Sequence, residues 1–113
     1  MTRRGEIYLV SFEPARGFEQ GGIRPALIVQ NDMGNEYAST TIVAAMTSQH
    51  REDYPFRVFV SPKKSRLAQP SSVMLDQLRT VTKDRLGRKV GELGRETMAE
   101  VDEALHFSLG LIH

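Results

Sequence analysis

Glu6-Ile-Tyr-Leu-Val-Ser-Phe12 mixes β-branched and aromatic residues and is closed by Pro14, which predicts a strand. Pro25-Ala-Leu-Ile-Val-Gln30 is nearly continuous in apolar residues and reads as a strand buried on both faces. Asn31-Asp-Met-Gly-Asn35 supplies turn chemistry, and Thr40-Thr-Ile-Val-Ala-Ala-Met46 is the next, mostly apolar, strand. Phe56-Arg-Val-Phe-Val60 alternates poorly but is β-rich, and Pro62-Lys-Lys-Ser65 ends it. Ser72–Arg79 alternates well: Val73, Leu75 and Gln77 share one face, and Met74, Asp76 and Leu78 the other. The period then changes. Met98, Val101, Leu105 and Leu109 recur at helical spacing opposite Glu100, Asp102 and Glu103, with Gly110 as the stop. Between these regions, Thr82-Lys-Asp-Arg-Leu86 fits either one short helical turn or a plain loop.

Short strands followed by one amphipathic helix predict a mainly β fold, a small twisted barrel with a helix packed on it. A length of 113 residues fits one domain, 1–113, and leaves no room for a second. With 40% hydrophobic and 26% charged residues the chain is expected to be globular rather than disordered. Cysteine is absent, which excludes disulfides, thiolate metal sites and cysteine nucleophiles, and suits a reducing cytoplasm. No apolar run approaches the ~20 residues of a membrane span, and the Met1-Thr-Arg-Arg-Gly start lacks a signal-peptide core.

Charge is uneven although the net value is only +1. Residues 1–56 carry 5 basic and 7 acidic side chains, residues 57–95 carry 10 and 3, and residues 96–113 carry none and 4. The middle block is where a polyanion is expected to land, or else it is a solvated strand-and-loop face.

Several kinds of chemistry find no support. Gly17, Gly21 and Gly22 precede a strand rather than open a helix, so a nucleotide-binding loop is not indicated. His50, His106 and His113 are scattered, without carboxylates at ligand spacing, so no metal site is expected. Ser-His-Asp catalysis has no nucleophile elbow to anchor it.

Three segments do carry candidate chemistry. Glu19-Gln-Gly-Gly-Ile-Arg-Pro25 brings a carboxylate, the Gln20 amide and a guanidinium to a strand entrance, where Pro25 biases Arg24 to extended geometry. Arg24 held this way suits a phosphate clamp, or equally a salt bridge to Glu19. Thr47-Ser48 sets two hydroxyls at a strand end, able to satisfy loop backbone or to donate to a phosphate oxygen. Asp76-Gln77 places polar groups in an apolar strand, and Gln77 is either a satisfied core amide or a reader of base edges.

Taken in order, these residues resemble the MazF/PemK family of type II toxin–antitoxin toxins, which are sequence-specific endoribonucleases. The resemblance runs through Arg4-Gly-Glu-Ile-Tyr8, Glu19–Asp32, Ile42–Ser48, Tyr54-Pro-Phe56, Ser72–Thr80, Lys83-Asp-Arg-Leu86 and Ala104–Leu111, essentially the whole chain. It implies an SH3-like (MazF/CcdB-like) barrel with a C-terminal helix, working as a homodimer. It also implies cleavage of single-stranded RNA without metal or cofactor, leaving a 2′,3′-cyclic phosphate and a 5′-hydroxyl and inhibiting translation. The family's catalytic arginine and threonine fall on Arg24 and Thr47, its glutamate on Glu19, and its glutamine on Gln77. Gln20, Ser48, Asp76 and Arg79 complete the expected RNA contacts. An arginine pKa above ~12 makes a neutral Arg24 base rare, so Arg24 is read as clamp and Glu19 as base.

Two departures stand out. Ser65-Arg-Leu67 replaces a segment that often reads Ser-Gly-Leu, and Met74 stands where some members carry an arginine proton donor. Expected partners are RNA and a cognate antitoxin bound through a disordered, acidic C-terminal segment that competes for the basic block, 57–95. DNA is expected to be spared by the cleavage, though the antitoxin complex is a candidate DNA binder, and no membrane partner is expected. The alternative from another class is a non-catalytic barrel that acts by protein contact, as topoisomerase poisons do.

Overall fold

The computed structural model describes residues 2–12, 22–49 and 54–111. In chain order the elements are β1 (Glu6–Ser11), β2 (Ile23–Ile28), α1 (Asp32–Tyr37), β3 (Thr40–Thr47), β4 (Arg57–Val60), α2 (Pro62–Ser65), β5 (Ser71–Thr82), a 3-10 turn (Lys83–Arg85), β6 (Leu86–Glu92) and α3 (Arg95–Ser108). The six strands form one antiparallel sheet in the order β4-β5-β3-β2-β1-β6.

Alternation along the central strands builds two cores. Leu27 and Val29 of the second apolar run join Ile7, Ala44, Met46, Val73 and Leu75 on one face, where Val101 and Ala104 of α3 cover them. Ala26 and Ile28 join Val10, Phe12, Val43, Ala45 and Met74 on the other face. The continuous apolar runs are therefore buried on both sides, as their lack of alternation predicts. Ser108 ties α3 down by donating from Oγ to the Leu75 carbonyl at 2.8 Å.

The expected barrel is a strongly curled sheet rather than a closed one. β4 and β6 are its two edges, and among the described residues no strand pairing joins them. α2 follows the edge strand β4 and packs against the other edge strand, β6. Gly91 of β6 lies so close to the Ser65 carbonyl oxygen that a Cβ there would collide with it. The curl still carries β5 over to the end of β1: Arg79 donates from Nη1 to the Phe12 carbonyl at 3.2 Å, with its guanidinium 5.5 Å from the Phe12 ring centroid.

Other expectations are corrected locally. The Asn31–Asn35 turn is the start of α1, because the Asn31 side chain accepts the Gly34 N–H at 2.8 Å and caps a helix. Pro62-Lys-Lys-Ser65 does not merely end β4 but forms α2, with Pro62 preset at the first helical position. Residues 86–92, which carry no strand signal in the sequence, pair with β1 as β6. Thr82–Leu86 takes the helical-turn alternative. Leu109 falls outside the apolar stripe and is 57% exposed, since α3 ends at Ser108 and Gly110 turns the chain at φ +72°.

The largest correction concerns β5. Ala44 pairs with Leu78 but Met46 pairs with Val73, so β5 accommodates extra residues between these pairs. The resulting bulge flips the alternation, and Leu78 packs against the Val73–Leu75 core rather than sharing a face with Met74.

Candidate functional site

Arg24 enters the sheet in β2 paired with Val10 and is exposed. Thr47 ends β3, half-buried and paired with Ser72 of β5. The β2–β3 ladder runs from Ile28↔Val43 to Ala26↔Ala45. Continued by two residues, the same register sets Arg24 across from Thr47, on the face that carries Ala26 and Ala45. Both residues thus stand at one end of the central strand pair, on one face. Thr47 Oγ1 accepts the Gln49 N–H at 3.2 Å, which fixes the hydroxyl and leaves its proton to be donated. Ser48 next to it is exposed. Glu19 and Gln20 lie outside the described residues.

The bulge in β5 gives Asp76 and Gln77 different environments. Asp76 accepts a two-pronged contact from Arg57 of β4, Nε at 3.3 Å and Nη2 at 3.2 Å. Arg57 also stacks over the Tyr54 ring at 4.9 Å, and the Tyr54 and Phe56 rings lie 5.1 Å apart. Sequence reasoning missed Arg57, because only the β4–β5 register reveals what it meets. Gln77 is half-buried, and its side chain makes no hydrogen bond among the described residues. Met74, in place of the arginine of some relatives, is only 1% exposed in the second core and pairs with Arg57.

The basic block does not assemble into one stripe. Lys83 reaches the Asn35 carbonyl, at the far end of β3 from Thr47, and Arg57 is committed to Asp76. Lys89 of β6 pairs with Glu6 at 3.0 Å, and Arg66 with Glu92 at 3.5 Å. At Glu6, burial raises the carboxyl pKa, but hydrogen bonds from Lys89, the Arg3 N–H and Tyr8 outweigh it and hold the group below its ordinary range. Lys89 is shifted up in return, chiefly by its hydrogen bond to Glu6. Among the described residues no three His, Asp or Glu side chains converge to hold a metal ion. Nor, among them, is any helix long and apolar enough to cross a membrane.

Buried polar groups away from this end are structural. Asn35, 1% exposed, accepts from Thr41 Oγ1 at 2.7 Å and Gln30 Nε2 at 3.1 Å, and donates to the Gln30 carbonyl at 3.0 Å. Arg4 joins three segments through the Val29 carbonyl at 2.8 Å, Asp102 at 2.6 Å and its own N–H to Asp32 at 2.7 Å.

Comparison with known proteins agrees with this architecture. A family model described as the PemK-like, MazF-like toxin of type II toxin–antitoxin systems matches residues 3–109. An endoribonuclease in complex with its cognate antitoxin, from a mycobacterial species, superposes with a TM-score of 0.84 at 28% identity, covering 100% of this chain and 99% of that one. MazF of Deinococcus radiodurans superposes with a TM-score of 0.80 at 28% identity over 96% of each chain. A MazE–MazF complex of the same organism gives 0.76 at 27% identity, covering 98% and 97%.

Proposed function

The chain belongs to the family of PemK-like, MazF-like toxins of type II toxin–antitoxin systems, and from that premise we propose that it is a metal-independent, sequence-specific endoribonuclease acting on single-stranded RNA. The observation that carries the reading is the placement of Arg24 and Thr47 at one end of the β2–β3 pair, on one face. The solved relatives described as endoribonucleases and as antitoxin complexes support it.

In this mechanism the ribose 2′-oxygen attacks the adjacent phosphorus and the bond from phosphorus to the 5′-oxygen breaks. The products are a 2′,3′-cyclic phosphate and a 5′-hydroxyl. Arg24 neutralises the charge that gathers on the pentacovalent phosphate, with two parallel donors aimed at its oxygens. Thr47 donates its hydroxyl proton to the same oxygens. Glu19 takes the 2′-proton, and the leaving oxygen is protonated in turn. Gln20, Ser48, Gln77 and Arg79 contact the RNA, and the Gln77 amide offers both a donor and an acceptor to a base edge. Asp76 acts through Arg57, holding β4 against β5 beneath that surface.

The toxin works in the cytoplasm as a homodimer, its RNA cleavage inhibits translation, and a cognate antitoxin silences it through a disordered acidic segment. Incubating the purified chain with RNA and with the matching DNA, both in excess chelator, tests the proposal. RNA cut at a short motif with DNA spared is the expected result. Activity that chelator abolishes and magnesium restores overturns the metal-free mechanism.

A further inference from the structure

Arg79 of β5 lies opposite Val43 of β3, so its side chain stands on the face of Val10, Ala26 and Ala45, the face that carries Arg24 and Thr47. There the curl of the sheet brings its guanidinium to Phe12, 67 residues earlier in the chain. Nη1 donates to the Phe12 carbonyl at 3.2 Å, and the guanidinium lies 5.5 Å from the centroid of the ring. Phe12 is only 2% exposed, within the second core. Its N–H donates to the Gly22 carbonyl at 2.8 Å, one step past the last β1–β2 pair, Ser11↔Ile23. Backbone and ring of one residue are therefore both held by a single side chain, from a strand that is not a neighbour of β1.

Phe12 is also the diagonal neighbour of Arg24. Val10 faces Arg24 directly, and Phe12 follows Val10 by two residues on the same face. Residues so related lie about 7–8 Å apart, within reach of an aromatic ring and a long side chain. We infer that Arg79 is a positioning residue for cleavage, in addition to the RNA contact proposed for it: by holding Phe12 it fixes the wall beside which Arg24 meets the phosphate. The inference rests on the endoribonuclease reading above. Arginine suits the task, because its planar fork hydrogen-bonds a carbonyl while the delocalised cation rests by an aromatic ring. Lysine keeps the attraction to phosphate but not this two-point hold. A misplacement of ~1 Å at a reacting group can cost about a hundredfold in rate. Loss of the hold therefore belongs in the chemical step rather than in RNA affinity.

The test is single-turnover cleavage of single-stranded RNA by the full chain at saturating protein. It is set beside the Kd for the same RNA carrying a 2′-deoxynucleotide at the mapped cleavage position, at a temperature where circular dichroism shows every variant folded. Arg79→Lys should keep Kd within about threefold, because its charge still meets the RNA, and lower the saturating rate about tenfold or more. Phe12→Leu leaves Arg79 intact and removes the ring; it should lower the same rate severalfold with Kd unmoved, and it decides the matter where Arg79→Lys does not fold. Combined with Arg24→Ala, Arg79→Lys should cost no further rate, since its effect passes through Arg24. The positioning role is overturned if Arg79→Lys or Phe12→Leu cleaves at the parent rate, or if either loses affinity with the saturating rate kept. It is equally overturned if the Arg79→Lys loss repeats in full in the Arg24→Ala background. A parent chain that neither binds nor cuts any RNA would instead sink the endoribonuclease reading itself, and the role of Arg79 with it.

Discussion

Arg24 of β2 and Thr47 of β3 stand on one face at one end of neighbouring antiparallel strands, two residues beyond the last ladder pair, Ala26↔Ala45. Arg24 is held in the sheet by its backbone pairing with Val10 and its side chain is exposed, so the side chain can change without unpicking the sheet. Arg24→Ala should therefore lower the rate of RNA cleavage by about a hundredfold or more, the order seen when an oxyanion donor is lost, with the melting temperature unmoved. Single-turnover cleavage beside a thermal melt measures both. A variant that cuts at near the original rate removes Arg24 from the site.

Arg57 and Asp76 offer a test of whether Asp76 serves the sheet or the RNA. The Arg57 side chain is 13% exposed and that of Asp76 29%, so their fork is partly shielded from water. A double-mutant cycle with Arg57→Ala and Asp76→Ala should give a coupling of roughly 1 kcal/mol in denaturant unfolding. Additive effects, with RNA affinity lost in Asp76→Ala alone, would return Asp76 to the binding surface.

Asn35→Ala removes a buried hub, strands the Thr41 hydroxyl and leaves the Gln30 amide with only the Thr40 carbonyl to donate to. The expected loss of stability is about 2–4 kcal/mol, read from urea unfolding. Cleavage at a temperature where the variant is folded should survive, because α1 lies at the other end of β3 from Thr47.

Acid should unfold the protein through its tethered carboxylates. Asp32 is held below the ordinary carboxylate range chiefly by the Arg4 N–H, then by Asn35, and Glu6 is also lowered, its hydrogen bonds outweighing burial. A depressed folded-state pKa contributes stability that is present above the unfolded pKa, about 3.9 for Asp and 4.3 for Glu, and is lost as pH falls through the folded value. Unfolding free energy should thus drop as pH is lowered from about 5 toward 2, and Asp32→Asn should flatten that dependence. An unchanged slope in Asp32→Asn would exclude Asp32 from the effect.

Arg66→Gly should raise the unfolding free energy by up to about 1 kcal/mol, because φ 67° costs a side chain what glycine avoids. Gly91→Ala should act in the opposite sense, since its Cβ meets the Ser65 carbonyl rather than a side chain that can swing away. Differential scanning calorimetry of the two variants gives both signs.

Local chemistry alone placed the central strands, the C-terminal helix and the strand-end position of Arg24 and Thr47, since apolar runs, a 3.6-residue period and an Arg-Pro step are properties of neighbours along the chain. The match of motifs in order likewise made the family legible. Other features depend on partners distant in sequence. Residues 86–92, rich in glycine and charge, form a strand only because β1 has an edge to offer. α2 stands where a barrel would otherwise close, because Gly91 lets Ser65 approach. The bulge that re-aims Leu78 appears only when β5 must pair with β3 and β4 at once. The same is true of charge. Composition showed a basic block along the chain, but pairing with Glu6, Asp76 and Glu92 across strands divides it. Residue type and spacing settle which elements form, because those energies are local. Which side chains meet is decided by strand register, and a register exists only once the sheet is assembled.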